Sequence, residues 1–139
     1  MFTAEFLINL IIDYNSLIRR AASSFNISSS QAFNILSIPF DGISMSLLSE
    51  KLGLDTSTLT RNINKLINLD YVIKTSHLYD KRVHTITLTS TGQAIKEQLY
   101  NKINDLNYEA ISHLSIDEKE TVHTSIEKLA WSLECDRNN

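Results

Sequence analysis

Hydrophobic positions recur mostly at intervals of three and four residues, which is the period of an amphipathic helix. The first such stripe runs through residues 4–25, and its apolar members are Phe6, Leu7, Leu10, Ile11, Tyr14, Leu17, Ile18, Ala21 and Phe25. A second stripe begins at Thr91-Gly92 and ends near Leu114. Ser115-Ile116-Asp117-Glu118 has the pattern of a capping box and opens a last helix through Leu133. The pattern therefore predicts long helices at both ends of the chain.

Two short helices are predicted between these long ones. Ser28-Ser29-Ser30 offers N-cap hydroxyls to the first, which Pro39 ends. Ser44 or Ser46 starts the second, and Gly53 closes it.

A third central helix, residues 55–68, has Asp55 as its predicted N-cap. Its apolar side chains share one face, and these are Leu59, Ile63 and Leu66. Polar side chains lie opposite or on the flank, and these are Ser57, Thr58, Arg61, Asn64, Lys65 and Asn68. A helix that reads DNA needs an apolar and a polar face, because the apolar face packs against the core while arginine and asparagine on the polar face bind base edges. The alternative is the solvated face of any surface helix.

The period then changes from that of a helix to that of a strand. Residues 72–76 and 83–88 are β-branched and partly alternating, and they flank a charged segment. The pattern predicts a two-stranded hairpin with a charged tip. Arg82 is placed to enter a minor groove, Asp80 can orient its guanidinium, and Lys81 and Lys74 add charge toward phosphates. The alternative is an ordinary charged turn.

The order of elements over residues 28–89 is that of a winged helix-turn-helix. The predicted fold class is mainly α (α+β), with helices for dimerisation at both ends. Residues 1–25 and 93–134 carry more apolar surface than the small winged core can cover, which favours a dimer.

Three motifs resemble segments of the MarR family of bacterial transcription regulators. Asp80-Lys81-Arg82, followed after five residues by Leu88-Thr89-x-x-Gly92, is similar to the family's wing signature. Ser30-Gln31-Ala32-x-x-Ile35-Leu36 is similar to the start of its second helix. Residues 43–66 resemble its helix-turn-helix, so the likeness covers residues 28–92 in register.

The resemblance implies a sequence-specific DNA-binding regulator, a homodimeric repressor that a small molecule releases from a palindromic operator. It implies one MarR-type domain over residues 1–139, with dimerisation helices in 1–25 and 93–139 and the winged helix-turn-helix in 28–92. Two half-sites roughly 34 Å apart then follow from two-fold symmetry. The DNA-binding residues expected on this basis are Ser57, Thr58, Thr60, Arg61, Asn64, Lys65, Lys74, Asp80, Lys81 and Arg82.

Two further expectations depend on the family. Many relatives bind small aromatic or amphipathic anions in a crevice between the dimer helices and the winged domain. The residues expected to line it here are Tyr14, Arg19, Phe25 and Phe33, with Arg20 as an alternative to Arg19. Where the family usually has glycine after the reading helix, this chain has Asp70, which tolerates a left-handed conformation better than most residues.

The distribution of charge along the chain changes what can be expected of its affinity for DNA. The chain has 13 basic and 16 acidic residues, net −3, which argues at first against a nucleic-acid partner. Residues 1–54 carry three basic and four acidic groups. Residues 55–89 carry five basic and three acidic groups, and residues 90–139 carry five basic and nine acidic groups. Only the middle segment is basic, at +2, so we expect modest non-specific affinity and a shallow salt dependence.

Other chemistry has little support. The four histidines lack metal-ligand spacing, Cys135 lies between two acidic residues, and there is no GxSxG motif or glycine-rich phosphate loop. We therefore expect no enzyme activity, no metal and no cofactor. A single cysteine, no export signal and no apolar run of membrane length predict a cytoplasmic protein that does not enter a membrane. The competing interpretation is a winged-helix module for protein–protein interaction, with the acidic last third as its docking surface.

Overall fold

The fold is mostly helical, with a small antiparallel sheet, in a computed structural model that describes residues 3–139. Its elements are α1 (Ala4–Ser23), α2 (Ser29–Ser37), β1 (Ile43–Ser44), α3 (Met45–Leu52), α4 (Thr56–Asn68), β2 (Val72–Ser76), β3 (His84–Leu88), α5 (Ser90–Ala110) and α6 (Ile116–Arg137). This confirms the predicted fold class and element order. Residues 1 and 2, the start of the predicted segment 1–25, lie outside the described residues. Two compact units divide within α5, after Asn104.

Four helices start at predicted caps, whereas α5 starts at Ser90, one residue before the predicted Thr91-Gly92. Asp55 and Ser115 cap α4 and α6, and the capping box between Ser115 and Glu118 is formed. Ser28 caps α2, also within a capping box. Of the two candidates for α3, Ser44 is the cap, because its hydroxyl accepts the Leu47 N–H at 3.1 Å. These local bonds explain why short helices form in a chain with few turn residues.

The sheet has three strands and not the two that the alternation predicts. Its order is β1-β3-β2, and β1 pairs Ile43 with Ile86 and Ser44 with Thr85. A strand of two residues is too short to show a period of two, and α3 follows it immediately. Strand β1 therefore joins the start of α3 to the hairpin.

The core of the first unit is built on the apolar face of α4. Its large, fully buried apolar side chains are Ile35, Ile38, Leu48, Leu59, Ile63, Leu66, Ile86 and Leu99. The predicted division of α4 into an inner and an outer face is thus confirmed. Because Leu59, Ile63 and Leu66 are held in the core, the rotation of α4 about its axis is fixed.

The turn from α4 into β2 has the left-handed residue expected there. Asp70 has φ +60°, and its carbonyl accepts the Thr89 hydroxyl at 2.6 Å. The same hydroxyl accepts the N–H of Gly92 at 2.9 Å, so one threonine joins this turn to the first turn of α5. A Cβ at Gly92 would overlap the carbonyl of Tyr71, which explains why glycine is needed at this position.

A lysine that the sequence did not single out also holds α5 in the first unit. Lys96 donates from Nζ to the carbonyl of Ile38 at 2.6 Å, at the end of α2. Burial, and secondarily the charge of Lys51, lowers the pKa of the Lys96 ammonium.

Large apolar side chains remain exposed on two long helices. On α1 they include Ile8, Ile11 and Ile12, and on α6 they include Ile126 and Trp131. None of the residues of α6 is buried. This matches the excess of apolar surface that the sequence predicts. No helix within residues 3–139 combines the length and apolarity that crossing a bilayer requires.

Candidate nucleic-acid interface

The start of α4 is organised by one carboxylate. Asp55 accepts the Thr58 N–H and the Ser57 hydroxyl at 2.7 Å each, and the Thr58 hydroxyl at 2.9 Å. These bonds, led by the Thr58 backbone, lower the pKa of Asp55 to about 2. The stabilisation is therefore complete above the ordinary pKa of 3.8 and is lost progressively as the pH falls from there through about 2.

The same bonds determine what the two hydroxyls can offer to DNA. Because Ser57 and Thr58 direct their protons to Asp55, their oxygens can act only as acceptors, and that of Thr58 already receives the Arg61 guanidinium at 3.5 Å. Such acceptors suit the amino groups of adenine and cytosine in a major groove.

The outward face of α4 carries the predicted base-reading side chains. Arg61, Asn64 and Lys65 are exposed. The Arg61 guanidinium lies 3.5 Å from the Thr58 hydroxyl, so it extends toward the N-terminal end of the helix. Thr60 differs from these, because it is half-buried and its hydroxyl donates to the Thr56 carbonyl at 2.7 Å.

One contact of α4 was missed from the sequence. Asn62 donates from Nδ2 to the Ser30 hydroxyl at 2.9 Å, which links α4 to the first turn of α2. The only signal in the sequence is that Asn62 lies at the border between the apolar and polar faces.

We call residues 72–88 the wing and residues 77–83 its tip. At the tip, Asp80 accepts the Arg82 backbone N–H at 3.0 Å and the Arg82 Nε at 3.2 Å. These bonds, the backbone bond first, lower the pKa of Asp80, so the carboxylate is ionised at neutral pH. The Arg82 side chain is 92% exposed, and the contact uses Nε and not the two Nη nitrogens. The predicted pairing of Asp80 with Arg82 is thus present.

The two wing lysines differ in their surroundings. Lys81 is exposed at the tip beside Arg82. Lys74 is half-buried on β2, opposite Ile86 of β3. Both belong to the same compact unit as α4.

The residues expected to bind an effector lie on or beside two helices that pack together. Tyr14 and Arg19 are exposed on α1, and Phe33 is exposed on α2. Phe25 is half-buried just after α1, where its carbonyl accepts the Tyr71 hydroxyl at 3.4 Å. In residues 3–139, no three His, Cys, Asp or Glu side chains are grouped as a metal site would require.

Known proteins are similar to this chain in sequence and fold. Residues 41–73 match the family described as winged helix-turn-helix DNA-binding. The HTH-type transcriptional regulator SarZ of Staphylococcus aureus (strain USA300) is 36% identical over 73 residues, which are 52% of this chain and 47% of SarZ. The chain therefore spans about half the length of the curated relatives it matches.

Solved structures extend the similarity to nearly the whole chain. Apo MarR from E. coli has a TM-score of 0.81 and 26% identity, covering 93% of this chain and 97% of that one. The chain has the winged-helix fold of the MarR proteins. Another MarR-family structure, a mutant E. coli MarR complexed with operator DNA, has a TM-score of 0.70 and 28% identity, covering 88% and 90% of the two chains. The family and fold are those of transcription regulators and not of enzymes.

The match to the family model covers a much smaller part of the chain than the structural matches do. Residues 41–73 include α3 and α4 but end at the start of β2, before Arg82. The structural matches extend over most of the chain.

Proposed function

We propose that this chain is a sequence-specific DNA-binding transcription regulator, in which α4 enters a major groove and the wing a minor groove. The observation that carries the proposal is Arg82, exposed at the tip and oriented by Asp80, in the same compact unit as the polar face of α4. The E. coli relative complexed with operator DNA supports it.

The α4 side chains have distinct roles in this proposal. Arg61 binds guanine bidentately, and Asn64 binds adenine. The groups assigned to phosphate, sugar or neighbouring base contacts are Ser57, Thr58, Thr60, Lys65, Lys74 and Lys81. The hydroxyls of Ser57, Thr58 and Thr60 already donate their protons within the protein, so they contribute to such contacts as acceptors.

The proposal includes a homodimer. The exposed apolar side chains of α1 and α6 lie in the segments 1–25 and 93–139, which we assign to dimerisation within a single domain. Leaving so much apolar surface in water costs about 25 cal/mol for each Å². A second copy of the chain covers it and places two winged regions on a palindromic site.

Selection of fragments from the organism's own genomic DNA tests this function. We expect the full chain to enrich a palindromic sequence and to bind it as a dimer, as measured by anisotropy and sedimentation. Affinity should fall only shallowly with salt, because the basic segment carries a net charge of +2. Absence of DNA binding at low salt would contradict the proposal and favour the protein–protein interaction module.

We further propose that the regulator is a repressor released by a small aromatic or amphipathic anion. The side chains proposed to contact it are Tyr14, Arg19, Phe25 and Phe33. A set of aromatic carboxylates serves as the probe, and thermal unfolding of the protein and its release from DNA are measured for each compound. A ligand at 100 times its Kd should stabilise the fold by about 2.7 kcal/mol.

Two matched variants locate the carboxylate of that ligand. Arg19→Ala should remove most of the thermal shift, whereas Arg20→Ala should keep it. The effector proposal is wrong if no aromatic carboxylate raises Tm and none displaces the operator.

A further inference from the structure

The wing tip carries two large apolar side chains that nothing in the described chain covers. Leu78 and Tyr79 are 93% and 95% exposed, more than any other large hydrophobic side chain within residues 3–139. Exposure of this degree is uncommon for a neighbouring pair, because burying such side chains stabilises a fold.

Hydrogen bonds at the tip explain why this pair projects. The Val83 N–H donates to the Asp80 carbonyl at 3.1 Å, and the His77 N–H donates to the Val83 carbonyl at 2.9 Å. These bonds hold the turn that carries Arg82 and leave Leu78 and Tyr79 between them. The apolar pair and Arg82 therefore lie together at the outer end of the hairpin.

The neighbours of the pair indicate the chemistry of its partner. Lys81 and Arg82 are cationic and exposed, so the partner is anionic where it meets them. Leu78 and Tyr79 require apolar surface beside that charge. The minor groove of duplex DNA combines both, since phosphates border it while deoxyribose rings form its walls, and leucine and other apolar side chains enter such grooves in known complexes.

We propose that Leu78 and Tyr79 contact the sugar walls of the minor groove beside Arg82 and supply affinity that does not depend on salt. The inference rests on the proposed function, because it assumes that the wing meets DNA. It also accounts for how a chain with a small basic segment can hold an operator, since apolar contacts release no counterions.

The experiment compares the intact chain with the double variant Leu78→Ser/Tyr79→Ser on the operator that the parent selects. We expect Kd to rise at least about tenfold, while the slope of log Kd against log salt stays unchanged. Lys81→Ala should behave in the opposite way and reduce the slope by about 0.9, the value for one phosphate contact.

Phe40→Ser is the matched control, because Phe40 is also exposed, at 84%. The β1–β3 register places it beyond the end of the sheet that is remote from the tip. We expect Phe40→Ser to bind as the parent does, and thermal unfolding checks that all variants are folded.

The outcomes separate the two proposals. A double variant that binds as tightly as the parent overturns the apolar contact and leaves the proposed function standing. A double variant whose salt slope falls together with its affinity also overturns it, because the lost contact was then ionic. A parent that binds no DNA overturns the proposed function itself.

Discussion

Replacing Arg82 by alanine is expected to reduce operator binding to the level of non-specific DNA while leaving the dimer intact. The side chain is 92% exposed and contacts Asp80 only within the tip, so its loss removes no core packing. A narrow minor groove concentrates negative potential, which makes an inserted arginine a large contributor to selective binding. Anisotropy titrations on the selected operator and on a scrambled duplex measure the loss, and sedimentation checks the dimer.

Two comparisons sharpen this test. Asp80→Asn keeps an oxygen for the Arg82 backbone N–H but removes the charge beside Nε, so its affinity should lie between parent and Arg82→Ala. Arg61→Ala should cost roughly 1–3 kcal/mol and relax the preference for one base. An Arg82→Ala protein that binds its operator as tightly as the parent would show that the proposed role of the wing is wrong. If Arg61→Ala lost the same affinity on all DNA sequences, Arg61 would be a phosphate contact instead.

Substituting Gly92 by alanine should have the largest effect on stability. A Cβ at this position would lie 2.8 Å from the carbonyl carbon of Tyr71 and overlap its oxygen. The obstacle is backbone, which cannot rotate aside as a side chain can. We expect the free energy of unfolding to fall by about 3 kcal/mol, the upper end of the usual cost of overpacking, as measured by urea denaturation at constant protein concentration.

Gly53→Ala is the appropriate control, because glycine is favoured there by a positive φ and not by a steric overlap with another part of the backbone. Gly53 has φ +63° and no atom within 4 Å of an added Cβ, so alanine there meets only conformational strain of roughly 1–2 kcal/mol. If Gly92→Ala were no more destabilising than Gly53→Ala, the close approach of α5 to the turn before β2 would not be a constraint on the fold.

The sequence predicted the features that depend on near neighbours. Asp55 could be recognised as a cap because its partners Ser57 and Thr58 lie within three residues of it. The inner face of α4 followed from the helical period, and the Asp80–Arg82 pair from a spacing of two.

Features that depend on distant partners could not be predicted in this way. The partners of β1 lie more than 40 residues further along the chain, and nothing in Ile43 and Ser44 indicates them. Gly92 was visible as a helix start, but the carbonyl of Tyr71 that makes glycine necessary becomes apparent only in three dimensions. The near-complete exposure of Leu78 and Tyr79 also becomes apparent only in three dimensions, because the sequence predicts a hairpin tip but not which of its side chains stay uncovered.

Strand β1 has a consequence for how such a protein can diverge. Its pairing with β3 is made by backbone groups, and its last residue, Ser44, is also the cap of α3. The spacing between helix-turn-helix and wing is thus set without any exposed α4 side chain. On the proposed function, in which Arg61 and Asn64 contact bases, a single substitution at either position should alter the preferred bases while the backbone frame that presents them stays unchanged.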